Sequence, residues 1–169
     1  DPTRRPVLIS LGTLNAEVGG PFFRAVADAL AARPDIQGLI VGPPDVVGPM
    51  PPGTSVRPWF PQLDLLPHLH AVVSHGGHNT VTESLLFGVP LVVAPVKDDQ
   101  PLVAGQVVAA GAGLRVHVGR RASGASVLAA LTAVLEEPQY REAAARIGAS
   151  FRAAGGASAA ATALEALRR

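Results

Sequence analysis

Between Ser74 and Gln100 the sequence gathers residues suited to an anionic, hydroxyl-rich ligand. The apolar run Ala71-Val72-Val73 enters the turn Ser74-His75-Gly76-Gly77. A helical pattern follows from about His78 to Phe87, with Val81, Ser84 and Leu85 on its inner side. Gly76 and Gly77 carry no Cβ, so a ligand can approach the backbone closely. The N–H groups of about His78, Asn79 and Thr80 would open the helix without intrahelical partners. With the helix dipole they make an anion site suited to phosphate, and His75 and Thr80 add side-chain donors at its rim. Glu83 falls one turn later on the same face. A carboxylate there would repel phosphate and should accept from hydroxyls, such as a ribose diol. The plain alternative is a solvent-exposed connection between strand and helix.

Gly88-Val89-Pro90 stops this helix. A second apolar run, Leu91 to Ala94, then opens onto Lys97-Asp98-Asp99-Gln100. The segment therefore reads as strand, glycine turn, helix, strand, with polar groups beyond both strand ends. Ligands of open α/β sheets sit outside the carboxyl ends of the strands.

Trp59 is the single tryptophan of a chain with 4% aromatic residues. It follows a short strand, Thr54 to Arg57, within Pro58-Trp59-Phe60-Pro61-Gln62. An indole in that place either stacks on a nucleobase or caps the core. Four of the five histidines, His68, His70, His75 and His78, lie close together and invite a metal reading. The first two precede a strand and the last two follow it, so the pairs should lie at opposite ends, whereas zinc needs convergent ligands. No metal site is expected.

The elements that must position these residues alternate along the chain. Pro6 to Leu11, Gln37 to Val41 and Gly113 to Val116 read as further strands. Helices are expected from Gly19-Gly20-Pro21 to about Ala32, with Phe22, Val26 and Leu30 on one face. Others are expected from Leu63 to Leu69, Leu102 to Ala110, Ser126 to Leu135, Gln139 to Ala153 and Ala157 to Leu167. Gly42 to Gly53 contains five prolines and reads as a long loop. The alternation predicts an α/β fold, a Rossmann-like doubly wound parallel sheet. No GxGxxG follows the first strand, which argues against a nicotinamide dinucleotide.

The 169 residues suffice for one domain, and 48% are hydrophobic. The net charge of +1 does not indicate a nucleic-acid partner or a membrane patch. No apolar run approaches the roughly 20 residues of a membrane span. The absence of cysteine excludes disulfides and thiolate metal sites and fits a cytoplasmic setting. The chain opens Asp1-Pro2 and reads as a segment of something longer.

These motifs resemble the donor-binding, C-terminal half of family-1 glycosyltransferases with the GT-B fold. The resemblance is carried by Trp59-x-Pro61-Gln62 and His75-x-Gly77-x-Asn79-Thr80-x-x-Glu83, then Gly88-Val89-Pro90, Pro95 and Asp99-Gln100. Ser10-Leu11-Gly12-Thr13 matches as well, so the likeness covers nearly the whole chain. Spacings from His75 to Gln100 agree with the plant form of the box, whereas the span from Gln62 to His75 is two residues shorter. His78 stands where the plant box usually has Trp. The Ala- and Arg-rich character and the HGG turn are closer to bacterial natural-product and macrolide glycosyltransferases.

The resemblance implies a role for each position. Trp59 would stack on the nucleobase and the Phe60 backbone would bond its edge. Gln62 and Glu83 would hold ribose hydroxyls. Thr13, His75, Gly77, Asn79 and Thr80 would hold the diphosphate, and Asp99 and Gln100 the transferred sugar. The implied chemistry is inverting, metal-independent transfer from a UDP- or dTDP-sugar to a small-molecule acceptor, with no cofactor. The acceptor pocket and catalytic base would belong to an N-terminal half outside this chain, and a homodimer is compatible with the sequence. Two other classes stay open: a stand-alone nucleotide-sugar binding or regulatory module, and a nucleotide-sugar epimerase of related fold.

Overall fold

A computed structural model describes residues 3–12 and 19–167. Thr13 lies outside the described residues. Six strands form one sheet: β1 (Arg5–Ser10), β2 (Ile36–Val41), β3 (Ser55–Arg57), β4 (Ala71–Ser74), β5 (Leu91–Val93) and β6 (Gly113–Arg115). Their order is β3-β2-β1-β4-β5-β6, and every neighbouring pair is parallel. The chain winds outward in one direction from β1 to β3, then restarts at β4 and winds the other way. The crevice of such a sheet opens where the direction reverses, here between β1 and β4.

The central strands are continuous apolar runs because helices cover both faces. Alternation then sorts their side chains into two cores. Val7, Ile9, Ala71, Val73 and Val92 face Phe22, Phe23, Val26, Val127 and Leu131. These come from α1 (Gly20–Ala31) and α6 (Gly124–Glu136). Leu8, Val72, Leu91 and Val93 face Val81, Leu85, Val103, Val107 and Ala144. Those residues belong to α4 (His78–Leu86), α5 (Gln100–Ala109) and α7 (Pro138–Ala153). At the amino end of the sheet Arg33 donates to both oxygens of Asp35 at 2.7 Å and to Glu136 at 3.0 Å. Arg5 reaches the same Glu136 at 2.8 Å.

Several boundaries differ from the sequence expectation. The proline-rich loop holds one helical turn, α2 (Pro44–Val47), because Pro44 presets the first helical φ. The expected helix after Gln62 divides into α3 (Gln62–Leu65) and a 3-10 turn over Leu66–His68, where Pro67 lacks the N–H to continue the ladder. Helix α5 begins two residues early, at Gln100. The last helix, α8 (Gly156–Ala166), contributes no buried residue. It starts at Gly156 after its N-cap Gly155, both at positive φ, and leaves Leu164 and Leu167 exposed.

Candidate functional site

β1 and β4 are register neighbours, and the loops leaving their carboxyl ends meet at His75. The Cε1–Nε2 edge of the imidazole fills space that a side chain at either flanking glycine would need. A Cβ on Gly12 would lie 2.6 Å from Cε1, and one on Gly77 would lie 2.5 Å from Nε2. Gly76 turns the chain at φ 90°, where an added Cβ would meet Val93 Cγ1 at 2.9 Å. Both positions expected to be glycine for close approach are thus required by the packing, and Gly12 joins them.

His75 Nδ1 is buried and has no hydrogen-bond partner among the described residues. Burial pushes the imidazole below its ordinary pKa. The Ser10 carbonyl, which makes no hydrogen bond to Nδ1, and the Asp99 carboxylate oppose that shift. A buried imidazole nitrogen without a partner has a desolvation cost that a bound acceptor or donor would offset. Immediately beyond, α4 starts at His78 behind its N-cap Gly77, which has no side chain to cap the helix. The N–H groups of His78, Asn79 and Thr80 therefore open the helix with neither a side-chain cap nor an intrahelical partner. The hydroxyls of Thr82 and Ser84 donate backward to carbonyls within α4, so neither offers its hydrogen to a phosphate.

Glu83 is half-buried one turn into α4. Its Oε2 accepts from Gln62 Nε2 at 2.6 Å, which ties α3 to α4. The carboxylate keeps further acceptor capacity for hydroxyl donors. Trp59 is 71% exposed, which removes the core-capping alternative. Its neighbour Phe60 is the buried anchor of that loop, with the Arg57 guanidinium 5.5 Å above its ring.

Asp99 is exposed immediately before α5, after Asp98 at φ 56°. Gln100 has a second role beside the expected one. It is buried, and its carboxamide oxygen accepts from the N–H groups of Val96 (2.9 Å) and Lys97 (3.0 Å). That oxygen holds its own loop, so only the NH2 group remains for a ligand. His68 and His70 sit at the amino end of β4, away from His75 and His78. Burial, then Arg141 and Arg5, lower the His70 pKa. Among the described residues no group of three or more His, Asp or Glu is placed to hold a metal ion, and no helix is long and apolar enough to cross a membrane.

Residues 4–152 match the family model described as UDP-glucoronosyl and UDP-glucosyl transferase. The chain belongs to this glycosyltransferase family. It is 37% identical over 144 residues to 4'-demethylrebeccamycin synthase of Lentzea aerocolonigenes, which covers 85% of the chain and 34% of that relative. The solved structure of CalG4, the calicheamicin glycosyltransferase, superposes with a TM-score of 0.85 at 27% identity, covering 98% of the chain and 44% of CalG4. The glycosyltransferase VinC, solved in complex with dTDP, gives 0.74 at 27% identity, covering 89% of the chain and 38% of VinC. The chain thus spans about a third of the length of the curated relatives it matches. Fold and family agree with the sequence expectation, including its bacterial natural-product flavour. None of these three relatives is named an epimerase or a regulator.

Proposed function

We propose that this chain is the donor-binding domain of an inverting glycosyltransferase that takes a UDP- or dTDP-sugar. The observation that carries the reading is His75: a half-buried imidazole, its Nδ1 without a hydrogen-bond partner among the described residues, packed on glycine backbone beside the uncapped start of α4. In this reading Trp59 stacks on the base, and the Gln62–Glu83 pair receives the ribose hydroxyls. His75, Gly77, Asn79 and Thr80 surround the diphosphate, and Asp99 accepts from the sugar.

An acceptor hydroxyl attacks the anomeric carbon, and the bond to the diphosphate oxygen breaks. Negative charge grows on that oxygen as the nucleoside diphosphate leaves. The start of α4 and an N–H of His75 stabilise the growing charge, and they are already oriented before it appears. The half-depleted environment favours neutral imidazole, while a bound diphosphate favours the charged form. Either form can donate one hydrogen bond. The base that deprotonates the acceptor and the acceptor pocket belong, in this reading, to a separate domain, in a cytoplasmic protein.

Titration calorimetry of the 169-residue chain with UDP and dTDP, and a transfer assay with the corresponding sugar donors plus acceptor, test the proposal. Binding of a nucleoside diphosphate without sugar transfer is the expected result. Failure to bind either nucleotide would overturn the donor-site reading. Transfer by this chain alone, at the rate of a whole enzyme, would overturn its assignment as half of an active site.

A further inference from the structure

The tripeptide Ser-x-Gly occurs at the carboxyl ends of both strands that flank the crevice. It reads Ser10-Leu11-Gly12 on β1 and Ser74-His75-Gly76 on β4. The two serines are register partners across the sheet. Both are buried, Ser74 completely. Each hydroxyl accepts the N–H of the glycine two residues on: Gly12 N to Ser10 Oγ at 3.2 Å, Gly76 N to Ser74 Oγ at 3.1 Å. Both glycines have positive φ, 76° and 90°.

The serine carbonyls act on the next strand over. Ser10 O accepts the His75 N–H at 3.3 Å, and Ser74 O accepts the Ala94 N–H at 2.7 Å. Each serine thus bends its own chain with its hydroxyl and holds the neighbouring chain with its carbonyl. The two bends together set where the His75 ring lies, because that ring packs on Gly12 and Gly77 and its Nδ1 has no partner among the described residues.

We infer that Ser10 and Ser74 are positioning residues that place His75 for the diphosphate, acting through the two glycine bends. The ligand's identity rests on the proposed function; the control of His75 by the serines does not.

A merely structural role would lower stability and leave the folded site unchanged. The deciding readout is therefore the titration of His75 by NMR, its resonance identified with His75→Ala. In Ser10→Ala and Ser74→Ala the buried glycine N–H loses its acceptor and the bend relaxes. The His75 pKa should rise toward the ordinary histidine value, in the direction that Asp99 already favours. UDP affinity at a temperature well below unfolding should fall about fivefold, the size of one lost hydrogen bond. Ser74→Thr keeps an Oγ and should restore both. In a His75→Ala background neither serine substitution should weaken UDP binding further.

An unchanged His75 titration in folded Ser10→Ala and Ser74→Ala overturns the inference, whatever the affinity does. So does an undiminished affinity loss in the His75→Ala background. If Ser74→Ala does not fold, Ser10→Ala carries the same test. If the wild-type chain binds no nucleotide, the proposed function fails while the His75 titration still decides this inference.

Discussion

Gly77→Ala separates the placement of His75 from the stability of the fold. Gly77 sits at φ −62° and ψ 135°, a conformation open to every residue. Alanine brings no backbone strain there, and a compatible Gly→Ala change stabilises by about 0.4–1 kcal/mol through the unfolded chain. The new methyl, however, would lie 2.5 Å from His75 Nε2 and 2.7 Å from Cε1. Ordinary carbon contacts need about 3.5–4.0 Å, so the ring must retreat by roughly 1 Å. Gly12 abuts the same edge of the ring, which limits small adjustments. A displacement of that size breaks a hydrogen bond to a charged diphosphate, worth about 1.5–3 kcal/mol, or roughly 10- to 150-fold in affinity. Thermal unfolding with and without UDP, beside calorimetric titration, reads both quantities. The expected result is a folded variant whose melting temperature falls by no more than the cost of moving the ring, with a larger loss of UDP binding. Wild-type affinity in the variant would refute the reasoning. An equal loss in a His75→Ala background would refute it too, since the methyl would then be colliding with the ligand.

Three further outcomes are expected. Trp59→Ala should alter stability by no more than about 0.5 kcal/mol, because the indole is exposed, and weaken UDP binding by about 1–3 kcal/mol. Trp59 fluorescence should respond to UDP or dTDP, and silence alongside calorimetric binding would remove the stacking role. Asp99→Ala should weaken a sugar-nucleotide and spare the free diphosphate, whereas His75→Ala should weaken both; equal losses for free diphosphate would undo that division. The pH dependence follows from the depressed His75 pKa. Between the folded value and the unfolded value of about 6.5, the unfolded chain holds the extra proton, so stability rises with pH through that window. A bound diphosphate acts oppositely and favours the imidazolium. UDP binding in that window should take up a proton, seen as buffer-dependent heats, and His75→Ala should abolish that uptake.

Much of the scaffold was legible because parallel strands buried on both faces are continuous apolar runs. Val7-Leu8-Ile9 and Ala71-Val72-Val73 announced themselves by composition alone. The turn at Gly76 and Gly77 between β4 and α4 was legible because adjacent glycines mark where the backbone must turn tightly. Trp59 was ambiguous because exposure belongs to the fold, and an indole after a strand can point either way. The loop contact of Gln100 was hidden for a different reason. Its carboxamide oxygen accepts N–H groups three and four residues back, which no spacing reveals, while its NH2 group stays available for the expected sugar contact. The repeated Ser-x-Gly was visible, but its meaning needs the β1–β4 register, which no local pattern supplies. The single turn α2 was missed because one helical turn is too short to show a period.

The exposed position of α8 has a consequence for how the protein unfolds. An isolated helix of about 12–15 residues or fewer is marginal in water, and α8 contributes no buried residue to raise its stability. Its amides should therefore exchange with solvent through local fraying, at free energies near zero, while those of β1 and β4 exchange only on global opening. Far-ultraviolet circular dichroism would lose the α8 signal gradually before the main transition. The cooperative step, and the denaturant m-value that scales with newly exposed surface, would report on the sheet and its packed helices alone. A melt followed by Trp59 fluorescence and one followed by helicity should consequently disagree at low denaturant, without any folding intermediate being present.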